Sequence, residues 1–169
     1  DDVESRGLGD VYKRQEQKNL LILNSNRKIE DYDSKSICYS LSPGRIYLNL
    51  EGREERGSVK YNEYDYWRKI IKENLLQLNA PNSDEKIIDK VMYKEEIYSG
   101  DNLRFAPDII VHPKNGYDIK ASLDGNSIFT HSALTGMHTY EDALILGVNV
   151  DVSNVKSIEQ VYQVIRENT

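Results

Sequence analysis

The residue best placed to do chemistry in this chain is His138. It sits in the polar loop Gly136-Met137-His138-Thr139-Tyr140, which leads through Glu141 and Asp142 into the apolar run Leu144-Ile145-Leu146. Neutral imidazole is the commonest metal ligand, and Gly136 lets the backbone come close to a bound ion. Thr139 and Tyr140 can hold the ring through supporting contacts, and Asp142 can orient the loop. A single histidine does not make a metal site, because catalytic zinc takes about three protein ligands. The other two histidines do not complete one. His131 and His138 lack a usual metal-ligand spacing, and His131 reads as exposed loop. His112 precedes Pro113 at a strand end and reads as structural.

Carboxylates are numerous, but their setting is mostly that of a surface. Glu51, Glu54 and Glu55 alternate with Arg53 and Arg56 in one dense loop. Such a loop reads as a solvated ion-pair network of small energetic value. The alternative is that Arg53 or Arg56 contacts a substrate phosphate or an interface with another part of a larger protein. Glu95-Glu96 and Glu141-Asp142 are adjacent pairs, whose side chains diverge to opposite faces on a strand. That argues against a shared acid/base dyad. Phosphate-binding glycine loops, a Gly-x-Ser-x-Gly elbow and a His-Glu-x-x-His helix are all absent from the authentic-looking sequence.

The elements that must position these residues alternate between extended and helical. Ile37 to Leu50 reads as strand, broken by Pro43-Gly44, with Ile46, Leu48 and Leu50 alternating at period two. Leu20-Leu21-Ile22-Leu23 reads as a helix end or a short strand. Tyr64, Trp67, Ile70, Ile71, Leu75 and Leu78 form a helical stripe, with Asn62 as expected N-cap and Asn79-Ala80-Pro81 as its stop. Strands are expected at Ile87–Tyr93, at Asp108–Val111 and at Ala143–Leu146, with a loop over Gly100–Pro107. Asp118–Leu123 is expected to pair nearby. Ser157 caps a final amphipathic helix carrying Ile158, Val161, Tyr162 and Ile165. This alternation predicts an α/β fold with a central, mostly parallel sheet flanked by helices.

Composition narrows the function classes. The 169 residues carry a net charge of −6, which argues against a nucleic-acid polymer as partner. No apolar run is long enough to span a membrane. The single cysteine, Cys38, excludes an internal disulfide and a thiolate cluster and reads as a buried structural thiol. The twelve tyrosines, without basic interleaving, are expected to pack the sheet and its edges.

Ser5 to Gln15 resembles the in-frame translation of a sequencing-library adaptor, so residues 1–15 are set aside from fold reasoning. The expectation is that residues 16–169 are the C-terminal portion of a longer gene product. With an authentic start upstream, the lack of a visible secretory signal leaves localisation open, the cytoplasm being slightly favoured.

Several segments taken together resemble one family. They are Asp33-Ser34-Lys35, Gly44 to Glu54, Glu95 to Gly100, Ala106 to Val111, Gly116 to Lys120 and the Leu134–Asp142 loop. In order and spacing they are similar to the C-terminal part of type I phosphodiesterase/nucleotide pyrophosphatase proteins of the alkaline phosphatase superfamily. The resemblance implies the end of an alkaline-phosphatase-like α/β core. It also implies a hydrolase for phosphate esters or phosphoanhydrides, with small-molecule or nucleotide substrates. Such enzymes use a threonine or serine nucleophile and two divalent metal ions, usually zinc. His138 would be the last ligand of one metal. The nucleophile and the Asp-His-Gly segment belong upstream and are absent here, so the isolated chain is expected to be inactive. Tyr162 stands where the family often has proline. A sulfatase or phosphomutase relative, or a non-catalytic binding module, is the alternative.

Overall fold

The structure is a computed structural model that describes residues 6–8, 16, 18–22, 32–119, 129–131 and 143–168. Seven strands and three helices appear among them. The chain divides into two compact units, Asp1–Met137 and His138–Thr169.

The first unit is built on a four-stranded sheet. Its strands are β2 (Cys38–Ser42), β3 (Arg45–Leu48), β4 (Ile88–Tyr93) and β5 (Ile109–Pro113), in the order β2-β3-β5-β4. Pro43-Gly44 makes the tight turn between β2 and β3. Gly44 adopts a φ of +66°, and a Cβ there would lie 2.7 Å from the Val111 carbonyl oxygen. Glycine is therefore required at this turn by both conformation and space. The registers pair Cys38 with Leu48, Ile46 with Ile109 and Val91 with Val111.

Every pairing in this sheet is antiparallel, which corrects the expected mostly parallel arrangement. The physical reason lies in the connections. Parallel neighbours need a long crossover, usually through a full helix. Here β2 and β3 are joined by a hairpin turn. The Lys94–Asp108 link holds only the four-residue α2 (Lys94–Ile97) and a 3-10 turn at Leu103–Phe105. The chain therefore folds back beside β4. The mixed α/β class stands.

One long helix covers this sheet. α1 spans Tyr64–Leu76, after a 3-10 turn at Tyr61–Glu63. Its start is fixed differently from the expected Asn62 cap. The Glu63 carboxylate accepts from the Lys60 N–H at 3.3 Å. The apolar stripe behaves as read: Ile71 and Leu75 are fully buried against Ile46, Leu48, Ile87, Ile109 and Val111, with Tyr64 and Trp67 packed beside them. On β2 and β3 the opposite side-chain row carries tyrosines. Tyr32, Tyr39 and Tyr47 stack in series at 4.6 and 5.4 Å, which agrees with tyrosine packing along the sheet.

Leu20 and Leu21 are buried but in neither helix nor strand; the Leu20 carbonyl accepts from the Ile37 and Cys38 N–H groups. Cys38 is buried, as expected, and burial pushes its thiol pKa far up. A second, three-stranded sheet places β1 (Arg6–Leu8) between β6 (Tyr117–Ile119), parallel, and β7 (Phe129–His131), antiparallel. His131 thus has strand backbone rather than the expected loop.

In the second unit, α3 covers Ile158–Glu167 with Ser157 as N-cap residue, as expected. The Gln160 side chain accepts from the Ser157 N–H at 3.1 Å. Ala143–Leu146 is not a buried strand. Among the described residues it has no strand pairing, and Leu144 and Leu146 are 91% and 82% exposed. Apolar character alone did not make a strand, because a strand needs a neighbour to satisfy its backbone.

Candidate functional site

His138, Thr139 and Asp142 lie outside the described residues. Among the described residues no three His, Cys, Asp or Glu side chains converge as a metal cluster would require. His112 sits half-buried on β5, where burial and the nearby Arg45 and Lys90 charges lower its pKa. The centre that the structure does assemble is built on a different residue, Asp108.

Asp108 closes the irregular link before β5 and is completely buried. Burying a lone carboxylate is expensive, so such a group must be paired and hydrogen-bonded. Five donors meet its two oxygens. Arg53 approaches through both terminal nitrogens, Nη1 to Oδ1 at 2.8 Å and Nη2 to Oδ2 at 2.6 Å. The Leu48 N–H donates to Oδ2 at 2.8 Å and Lys94 Nζ to Oδ1 at 2.9 Å. The Tyr64 hydroxyl is the fifth donor. Burial would raise the Asp108 pKa, but the hydrogen bonds and charge of Arg53, with Tyr64 and Lys94, outweigh it and hold the carboxyl below its usual range.

Each donor arrives from a separate element. Arg53 comes from the loop after β3, where its Nη2 also donates to the Leu48 carbonyl at 2.7 Å and its Nε to Glu54 at 2.9 Å. Tyr64 opens α1, and burial together with the bond to Asp108 raises its pKa. Lys94 begins α2 directly after β4 and is 8% exposed. The charged loop is thus only partly the solvated network expected of it. Glu51, Glu55 and Arg56 are exposed, whereas Arg53 is committed to a bidentate pair inside the unit.

Asp108 is saturated, since an ionised carboxylate offers about four lone-pair positions. It is a fixed anion that organises its neighbours, with no acceptor left for a substrate proton or a metal. Glu95 and Glu96, expected to diverge along a strand, lie instead in α2. Glu95 accepts from Arg68 at 2.6 Å, and Glu96 accepts from the Tyr93 N–H.

Above the Asp108 centre opens a cavity of about 600 Å³, lined among others by Arg53, Tyr61, Tyr64, Lys94, Arg104 and Phe105. Its size falls in the usual range for small-molecule sites. Reading the sequence missed Asp108, Lys94 and Tyr64 as a group. The available signal was a charged residue opening an otherwise apolar strand after Pro107. No spacing rule links positions 53, 64, 94 and 108.

Compared with family models, curated proteins and solved structures, the chain matches none.

Proposed function

We propose that this chain contributes the C-terminal part of the α/β domain of a metal-dependent phosphodiesterase or nucleotide pyrophosphatase-type hydrolase. The observation that carries the reading is the ordered set of segments from Asp33 to Asp142 that resembles that family. A spatial fact supports treating them as one unit. The Gly44–Glu54 and Ala106–Val111 segments are far apart in sequence, yet Arg53 and Asp108 join them directly. Lys94, the residue before the Glu95–Gly100 segment, joins the same carboxylate.

On this reading His138 is one ligand of a divalent metal, probed first as zinc, with Thr139 and Asp142 steadying its loop. The metals would supply Lewis-acid stabilisation of the attacking and leaving oxygens. On the same reading this chain would hold one ligand, and the nucleophile would come from sequence outside it. Arg53 serves here as the clamp on Asp108.

The test is the uninterrupted gene product, assayed for bound zinc and for hydrolysis of a nitrophenyl phosphodiester. His138→Ala is expected to lower metal occupancy and to reduce turnover by roughly a hundredfold or more. Near-wild-type turnover with full zinc content would sink the ligand assignment. An upstream region without a threonine or serine nucleophile and paired aspartates would favour the non-catalytic binding module instead.

A further inference from the structure

We propose that the cavity above Asp108 is a binding site for a small aromatic phosphate, such as a mononucleotide, held by Lys94 and Arg104 at its anionic end and by Tyr61 and Phe105 at its ring. The proposal rests on residues of the first unit and does not depend on the hydrolase reading.

Lys94 is the first argument. Its ammonium has three N–H donors. One goes to Asp108, and no other hydrogen-bond acceptor is found for it among the described residues. The residue is 8% exposed and lines the cavity, with its ammonium 5.5 Å from the Tyr64 ring centroid. A buried ammonium with unused donors favours an oxyanion.

Arg104 is the second. It is exposed, its guanidinium lies 4.5 Å over the Phe105 ring, and it has no ion pair among the described residues. Charge in the lining is otherwise spoken for. Arg53 is spent on Asp108, Leu48 and Glu54. Glu95 is spent on Arg68. Glu51 is the remaining carboxylate of the lining, and it is exposed.

The ring end follows from the aromatic walls. Tyr61 and Phe105 line the cavity while 81% and 63% exposed, so their rings can be reached from solvent. Tyr61 is held parallel to Tyr64, with ring centroids 6.2 Å apart and planes within 4°. An exposed aromatic face beside a cation accepts planar rings of many kinds.

The experiment uses the chain as it stands, titrated with AMP, phenyl phosphate, adenosine and inorganic phosphate by calorimetry. Saturable binding of AMP or phenyl phosphate is expected, with adenosine and inorganic phosphate each roughly tenfold weaker or worse. Whichever of the two aromatic phosphates binds tighter identifies the preferred ring. Arg104→Ala and Tyr61→Ala alter exposed side chains and should each weaken binding roughly tenfold. Lys94→Met also strips a partner from Asp108, so the two exposed variants carry the test. No saturable binding at millimolar ligand overturns the proposal. So does inorganic phosphate binding as tightly as the aromatic compounds, or affinity unchanged in either exposed variant.

Discussion

Asp108 sets the residue-scale behaviour of the first unit. Removing one partner of a buried ion pair strands the others, at a cost of about 3–5 kcal/mol. Asp108→Ala strands both Arg53 and Lys94 and should lose about that much in urea denaturation. Acid should act on the same group. Its folded-state pKa lies below the ordinary value of 3.8, so it contributes stability above that value and loses it as pH falls through the lower folded one. The wild type should therefore lose stability steeply on acidification below about pH 4. Asp108→Asn, which has no such proton to bind, should show a shallower acid limb. Equal acid slopes in the two proteins would show that other carboxylates govern acid unfolding.

At the scale of elements, the β2–β3 hairpin depends on one residue for its turn. Gly44 and Gly52 both have positive φ, +66° and +81°. Only Gly44 faces a backbone atom, the Val111 carbonyl, at 2.7 Å from a built Cβ; Gly52 has open space around it. Gly52→Ala should cost about 1–2 kcal/mol for the left-handed conformation alone. Gly44→Ala should cost clearly more, because the hairpin must also move away from β5. Thermal or denaturant melts of the two variants check this, and equal losses would mean that the Val111 contact relaxes freely. The break at Pro43-Gly44 was legible in the sequence because proline and glycine interrupt an extended run, but that the two halves pair as a hairpin was not. α1 was legible because its stripe repeats over several turns. Ala143–Leu146 was not, since its apolar run carries no information about whether a neighbouring strand exists.

At the scale of the whole molecule, the second unit exposes several large apolar side chains among the described residues. Leu144, Leu146, Val148, Ile158 and Tyr162 are each more than 60% exposed. Exposed apolar surface binds hydrophobic dyes. The double variant Leu144→Ser, Leu146→Ser should lower anilinonaphthalene sulfonate fluorescence severalfold. It should shift stability by no more than about 0.5 kcal/mol, the usual range for exposed positions. Undiminished dye binding would place the responsive surface elsewhere. No helix among the described residues is long and apolar enough to cross a membrane.

What the sequence determined by itself was local. It determined the break at Pro43-Gly44, the stripe of α1, the β4 and β5 segments, the buried thiol of Cys38 and the cap of α3, each set by residues within a few positions of one another. Tertiary structure alone decided the antiparallel sheet order, because strand direction depends on how connections close rather than on strand composition. It alone also decided that Arg53, Tyr64, Lys94 and Leu48 converge on Asp108. A buried charge must find its partners wherever folding brings them, and here they come from the loop after β3, the start of α1, the end of β4 and the edge of β3 itself.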